Sequence, residues 1–173
     1  MQAAEAELEP LKTWLRLNAT DRIHLTLHFL GHLPVRDVEA LPSRLRQVVE
    51  GFTRFTLAAR GVGAFPNFNH AQVVWAGIGG ADLPRLLELQ AALAVPLQQA
   101  GLPVEDRRFR PHLTLARVAR PLPLKSRRQL QAWANRWNEI ELGRLPVEEV
   151  SLMRSQLGGG PARYSTLATF SLQ

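Results

Sequence analysis

The stretch His24-Leu25-Thr26-Leu27-His28-Phe29-Leu30-Gly31 orders the rest of the chain, because its first four residues return as His112-Leu113-Thr114-Leu115. In a β-strand successive side chains point to opposite faces. The leucines of each copy then face a core, while His and Thr, two residues apart, share the other face. Each copy offers one imidazole beside one hydroxyl. Two such strands along one groove would bring two histidines to a single substrate, the minimum for a paired general base and general acid near neutral pH. His28 has the parity of His24 and Thr26, but the second copy has Ala116 there, so His28 reads as supporting or structural.

What surrounds the two copies predicts the fold. The first motif strand spans Ile23 to Leu30 and ends at Gly31 and Pro34. Val38, Leu41, Leu45, Val48 and Val49 then recur at helical spacing, predicting a helix over about 35–50. Residues 52–60 alternate as a strand, 61–69 form a Gly/Pro/Asn-rich loop, 73–78 form a buried strand, and Asp82 caps a helix running to about Gln99. After Gly101 and Pro103 the order repeats: a motif strand over 112–118, a helix over roughly 125–137, and strands near 147–155 and 164–172. The turn Gly158-Gly159-Gly160-Pro161 joins those last two. Upstream, residues 2–11 read as the last turns of a helix or as a frayed tail, and Thr13 to Asn18 as a short edge strand. Helices and strands mix without the alternation of a doubly wound sheet, so the expectation is α+β with antiparallel sheets. The recurrence looks like a duplication. It predicts one domain over 1–173 with two pseudo-symmetric lobes, each giving one motif strand to a central cleft flanked by helices.

A chain of 173 residues can bury one sizeable core. The absence of cysteine removes disulfides, thiol nucleophiles and thiolate metal sites. No apolar run approaches the roughly 20 residues that span a bilayer, and no secretory leader pattern opens the chain, so the expected address is the cytoplasm with no membrane partner. The net charge of +6 and pI of about 11.1 point to an anionic partner. Eight basic residues and no acid lie between Arg107 and Arg128, and the second motif sits inside that run. A solvated basic face would explain such a cluster; its coincidence with the motif favours anion binding.

His24, His28 and His32, spaced by four, would read as zinc ligands on a helix face. The strand-like alternation, Gly31 and Pro34, the lack of a carboxylate and the lack of the triplet in the second copy argue against this. No metal and no cofactor are expected, and no Walker-type loop is present. Facing one phosphodiester, a neutral imidazole takes the proton from an attacking hydroxyl or water, and a protonated one gives a proton to the leaving oxygen. An ordinary His pKa of ~6.5 suits both roles. Thr26 and Thr114 would bond the non-bridging oxygens, and a nearby arginine would stabilise the developing charge.

With those residues the chain resembles the two-histidine phosphodiesterases, and among them the bacterial and archaeal 2'-5' RNA ligase or RNA 2',3'-cyclic phosphodiesterase group. The resemblance rests on residues 24–31, on Gly63-Ala64-Phe65-Pro66 followed by Val74-Trp75-Ala76-Gly77, and on Phe109 through Arg117. It continues through Ser155, Gly160-Pro161, Tyr164, Leu167 and Phe170, covering nearly everything from Leu15 onward. It implies a bilobal α+β fold with both histidines in a central cleft, and metal-independent hydrolysis of RNA 2',3'-cyclic phosphate ends to 2'-phosphates. Reversible 2'-5' joining of RNA ends is the other activity it implies. The partner would then be RNA with a 2',3'-cyclic phosphate or a 2'-5' linkage, and the enzyme is expected to be a monomer.

Residue by residue, the resemblance implies His24 and His112 as the catalytic pair and Thr26 and Thr114 as phosphate binders. It also implies Arg117 as an arginine closing on phosphate or base, and Phe29 as an aromatic beside the nucleobase. Arg117 and Phe29 each follow their histidine by five residues, an odd offset that turns them to the opposite face of a regular strand. A bulge or strand end is therefore expected in each copy. Members of this family begin with an apolar strand and a full helix before the segment matching Thr13 to Asn18, whereas this chain has at most the helix's end. Either the numbered start is truncated or one lobe lacks a strand, and an open sheet edge or apolar groove is the expected consequence only in the second case. Two other readings compete: a non-catalytic RNA-binding protein that uses the basic 107–128 run and stacks bases on Phe65 and Phe68, and a cyclic phosphodiesterase for small nucleotides such as an ADP-ribose cyclic phosphate.

Overall fold

In chain order the elements of the computed structural model are α1 (Gln2–Ala6), β1 (Leu15–Leu17), α2 (Val35–Glu39), α3 (Leu41–Val49), β2 (Phe55–Phe65), β3 (Val73–Gly79) and α4 (Leu83–Gln99). There follow β4 (His112–Val118), α5 (Leu124–Trp137), β5 (Glu141–Val147), β6 (Glu149–Gln156) and β7 (Arg163–Ser171). The structure describes residues 1–105, 107–156 and 163–173; the turn expected at 158–161 lies outside them. The fold is α+β, and the strand pairs in register are antiparallel. No helix among the described residues is long and apolar enough to cross a membrane.

Two compact units divide the chain, one made of 1–27, 57–83 and 108–145, the other of 28–56, 84–107 and 146–173. The first holds a five-stranded sheet in the order β1-β4-β3-β2-β5. Alternation puts Leu15, Leu113, Leu115, Val74, Ala76 and Ala64 on one face, against Leu130 and Trp133 of α5 and Ala4 and Leu8 near the start of the chain. Leu130, Trp133 and Trp137 recur at three and four residues, forming one stripe of α5. Trp133 is fully buried and donates its indole N–H to the Ala4 carbonyl at 2.9 Å. The start of the chain is therefore a docked helix, not a frayed tail.

The second unit sets α3 against the β6–β7 hairpin. A hairpin alone is marginal in water. Here Leu41, Leu45 and Val49 of α3 and Phe170 of β7 are buried, and the Arg46 guanidinium lies 5.5 Å from the centroid of the Phe170 ring. Leu86, Leu89, Leu93 and Leu97 give α4 its own buried stripe.

Several expectations are corrected. The motif strand over 23–30 reduces to a single bridge between Leu25 and Leu113, and the chain bends at Leu27. The helix over 35–50 is two helices, because Pro42 at the start of α3 has no N–H to continue the ladder from α2. Residues 61–64 are strand rather than loop: β2 runs through them to Phe65, with a register shift between Ala59 and Val62. Its Gly61 has φ +68, and a Cβ there would stand 2.3 Å from the Asn138 carbonyl oxygen. Strand β5 was not expected at all. Finally, the two motifs do not come one from each lobe, since 24–26 and 112–114 both belong to the first unit.

Candidate active site

Thr114 faces Trp75 across the β3–β4 pair, and the Leu25–Leu113 bridge joins the first motif to the opposite side of β4. Because that bridge is antiparallel, one step either way sets His24 opposite Thr114 and Thr26 opposite His112. The two tripeptides thus lie abreast and head to tail, each imidazole beside the other copy's hydroxyl. Leu25, Leu113 and Leu115 turn to the core, which leaves His24 and Thr26 exposed and His112 and Thr114 half-buried on the outer face.

Both imidazoles are anchored alike. Nδ1 of His24 lies 2.8 Å from the Arg22 carbonyl oxygen, and Nδ1 of His112 lies 2.7 Å from that of Arg110, in each case two residues upstream. A carbonyl only accepts, so Nδ1 carries hydrogen in both rings. Nε2 is then the nitrogen that takes up or gives up a proton. The repeat accordingly reaches further back than the tetrapeptide, to Arg22 and Arg110 at the same offset. Arg-x-His-Leu-Thr-Leu at 22–27 and 110–115 is the signal in the sequence that marks both anchors.

Arg117 joins this face through the bulge that its odd offset required. In the β3–β4 register Val74 pairs with Ala116 but Trp75 with Thr114, so Leu115 is the extra residue on β4. Leu115 and Ala116 are both buried, and the alternation resumes with Arg117 exposed on the same face as His112 and Thr114. Asn18 supports the bulge: its backbone N–H donates to the Leu115 carbonyl and its side-chain amide to the Thr114 carbonyl, both at 2.8 Å.

Phe65 and Trp75 wall the same face. Phe65 meets the His112 ring edge-on with centroids 5.0 Å apart, and Trp75 lies 6.4 Å from it. Gly63 makes room for the indole, since a Cβ there would come within 2.2 Å of Trp75 Cζ2. The remaining candidates belong to the second unit. His28 belongs to the second unit, where its Nε2 lies 2.7 Å from the Gln90 carbonyl oxygen, a structural tie. Phe29, also of the second unit, is 67% exposed. The bend at Leu27 ends the parity that had turned it inward. Among the described residues no group of three or more His, Asp or Glu could hold a metal ion.

An α+β protein with paired His-x-Thr tripeptides abreast on an antiparallel sheet is of the two-histidine phosphodiesterase class. Residues 5–159 match the family model of the 2'-5' RNA ligase superfamily, and the chain belongs to that family of enzymes. A relative from Methanothermobacter thermautotrophicus, an RNA 2',3'-cyclic phosphodiesterase, is 30% identical over 88% of this chain and 79% of its own. Another of the same name, from Thermus thermophilus, is 32% identical over 98% of this chain and 81% of its own. Among solved structures, that of the Thermus thermophilus protein TT0787 superposes with a TM-score of 0.76 at 28% identity, covering 98% of this chain and 87% of that one.

Proposed function

We propose that this enzyme opens RNA 2',3'-cyclic phosphate ends to 2'-phosphates without a metal ion, using His24 and His112 as the acid–base pair. The observation that carries this reading is the Leu25–Leu113 bridge, because it sets each imidazole beside the opposing threonine. One Nε2 takes a proton from the attacking water as its oxygen bonds to phosphorus. The other gives a proton to O3' as the P–O3' bond breaks, and the phosphate stays on O2'. Thr26 and Thr114 donate to the non-bridging oxygens, and Arg117 neutralises the charge they gain. A 5'-hydroxyl in place of water makes the same step a 2'-5' joining of RNA ends. Phe29 is the side chain proposed to meet the terminal base. Because one chain carries both motifs, a monomer of one two-lobed domain acting on cytoplasmic RNA has every group the step requires.

The test is hydrolysis of an oligonucleotide ending in a 2',3'-cyclic phosphate, with EDTA throughout. Turnover to a 2'-phosphate that disappears in His24→Ala and in His112→Ala is the expected result. Binding without turnover in the wild type would make the protein a non-catalytic RNA binder.

A further inference from the structure

The outer face of the sheet continues past the motifs. Strand β1 lies on the same side of β4 as the His24 segment, and Arg16 pairs directly with Arg117. Leu15 and Leu17 on either side of Arg16 turn to the core, so Arg16 shares the face of Arg117, His112 and Thr114. Three rows result: Thr26 with His112, His24 with Thr114, and Arg16 with Arg117. The third row stands about 7–10 Å along β4 from Thr114 at ~3.3 Å per residue.

Like charges directly opposite on paired strands repel, and an anion bound between them would relieve that repulsion. Among the described residues neither guanidinium is ion-paired. Arg117 is the nearer to Thr114 on its own strand and is the arginine proposed above to meet the reacting phosphate. Arg16 stands in line with His24 but one row beyond, where the next negative group of a bound chain would lie.

We propose that Arg16 seats the phosphate on the 5' side of the terminal nucleotide, so that the enzyme selects cyclic-phosphate ends carrying that second phosphate over nucleosides lacking it. This rests on the phosphodiesterase reading above. It adds a specificity determinant separate from the reacting groups, in the form of a planar guanidinium that can hold phosphate by two hydrogen bonds.

The experiment compares kcat/KM for adenosine 2',3'-cyclic phosphate with a 5'-hydroxyl and with a 5'-phosphate, in the wild type, Arg16→Ala and Arg16→Lys. The wild type should favour the 5'-phosphorylated substrate by about tenfold, the worth of one charge-assisted contact, chiefly through KM. Arg16→Ala should lose most of that preference, and Arg16→Lys, keeping charge without the fork, should fall between. In parallel, calorimetry compares adenosine 2',5'-bisphosphate with adenosine 2'-monophosphate as ligands, and Arg16→Ala should bind the two alike. No preference in the wild type, or a preference that survives Arg16→Ala, overturns the seat while leaving the phosphodiesterase reading in place. Absence of any turnover in the wild type would instead overturn the phosphodiesterase reading, and the two ligand affinities would still decide whether Arg16 holds a second phosphate.

Discussion

The Nδ1 anchors of His24 and His112 fix more than tautomers. A ring held by the backbone carbonyl two residues upstream cannot turn its Nε2 away without breaking that bond, so both Nε2 atoms, the proposed sites of proton transfer, are oriented before substrate arrives. Loss of either imidazole should therefore lower kcat by about 10²–10⁴-fold, the usual worth of general acid–base catalysis, with RNA affinity nearly unchanged. Rapid-quench turnover beside equilibrium binding of the same oligonucleotide would show it, and a fall in affinity matching the fall in kcat would mean that the histidines only bind. Because one imidazole must be neutral and the other charged, kcat/KM should be bell-shaped in pH. A profile with a single limb would leave only one histidine titrating in the reaction. Asn18 has a different part, since its two hydrogen bonds hold the carbonyls of Thr114 and Leu115. Asn18→Ala should cost stability and activity together, as a positioning residue would.

Strand β4 was legible to the residue because His112 to Leu115 alternate as a sheet strand does, strands flank it on both sides, and the bulge at Leu115 shifts the register without ending the strand. The first motif has the same letters but pairs through Leu25 alone. What ends it, the bend at Leu27 and the tie from His28 to a carbonyl of α4, depends on a partner 62 residues away that no local pattern contains. The glycines at 61 and 63 misled in the other direction. Glycine usually marks a turn, but here the two leave space inside a strand for Asn138 and Trp75. Strand β5 escaped notice because it carries Gly143 and Pro146, and an edge strand tolerates both. The steric role of Gly63 can be measured. Gly63→Ala should cost about 1–3 kcal/mol in urea unfolding, as overpacking does. It should also lower kcat, because the displaced indole adjoins the Phe65 ring that meets His112. Gly79→Ala, on the neighbouring strand with nothing within 4 Å, is the control and should stay within about 0.5 kcal/mol of the wild type. Equal effects at the two positions would mean that backbone freedom, not the indole, is what Gly63 supplies.

At the scale of the molecule, what ties the start of the chain to its unit can be divided between charge and packing. Arg136 of α5 lies 2.6 Å from the Glu7 carboxylate and holds that carboxyl below its usual range. A carboxyl whose pKa is lower folded than unfolded contributes stability that is complete above its unfolded pKa and fades as pH falls through the folded value. Glu7→Gln should therefore unfold earlier than the wild type at neutral pH, and the two should converge in acid. Both partners are exposed, so the difference should also vanish in about 1 M salt, where screening extends only ~3 Å. Trp133 acts otherwise: it is buried against Ala4 and Leu8 with its N–H on the Ala4 carbonyl. Trp133→Ala should cost about 3–5 kcal/mol through the cavity it leaves, at every pH and salt concentration that keeps the fold. Urea midpoints for the two variants at neutral and acid pH, with and without salt, separate the contributions. If Glu7→Gln proves the more damaging of the two, the segment is held chiefly by charge, and the buried stripe of α5 is not what secures the five-stranded sheet beneath the histidines.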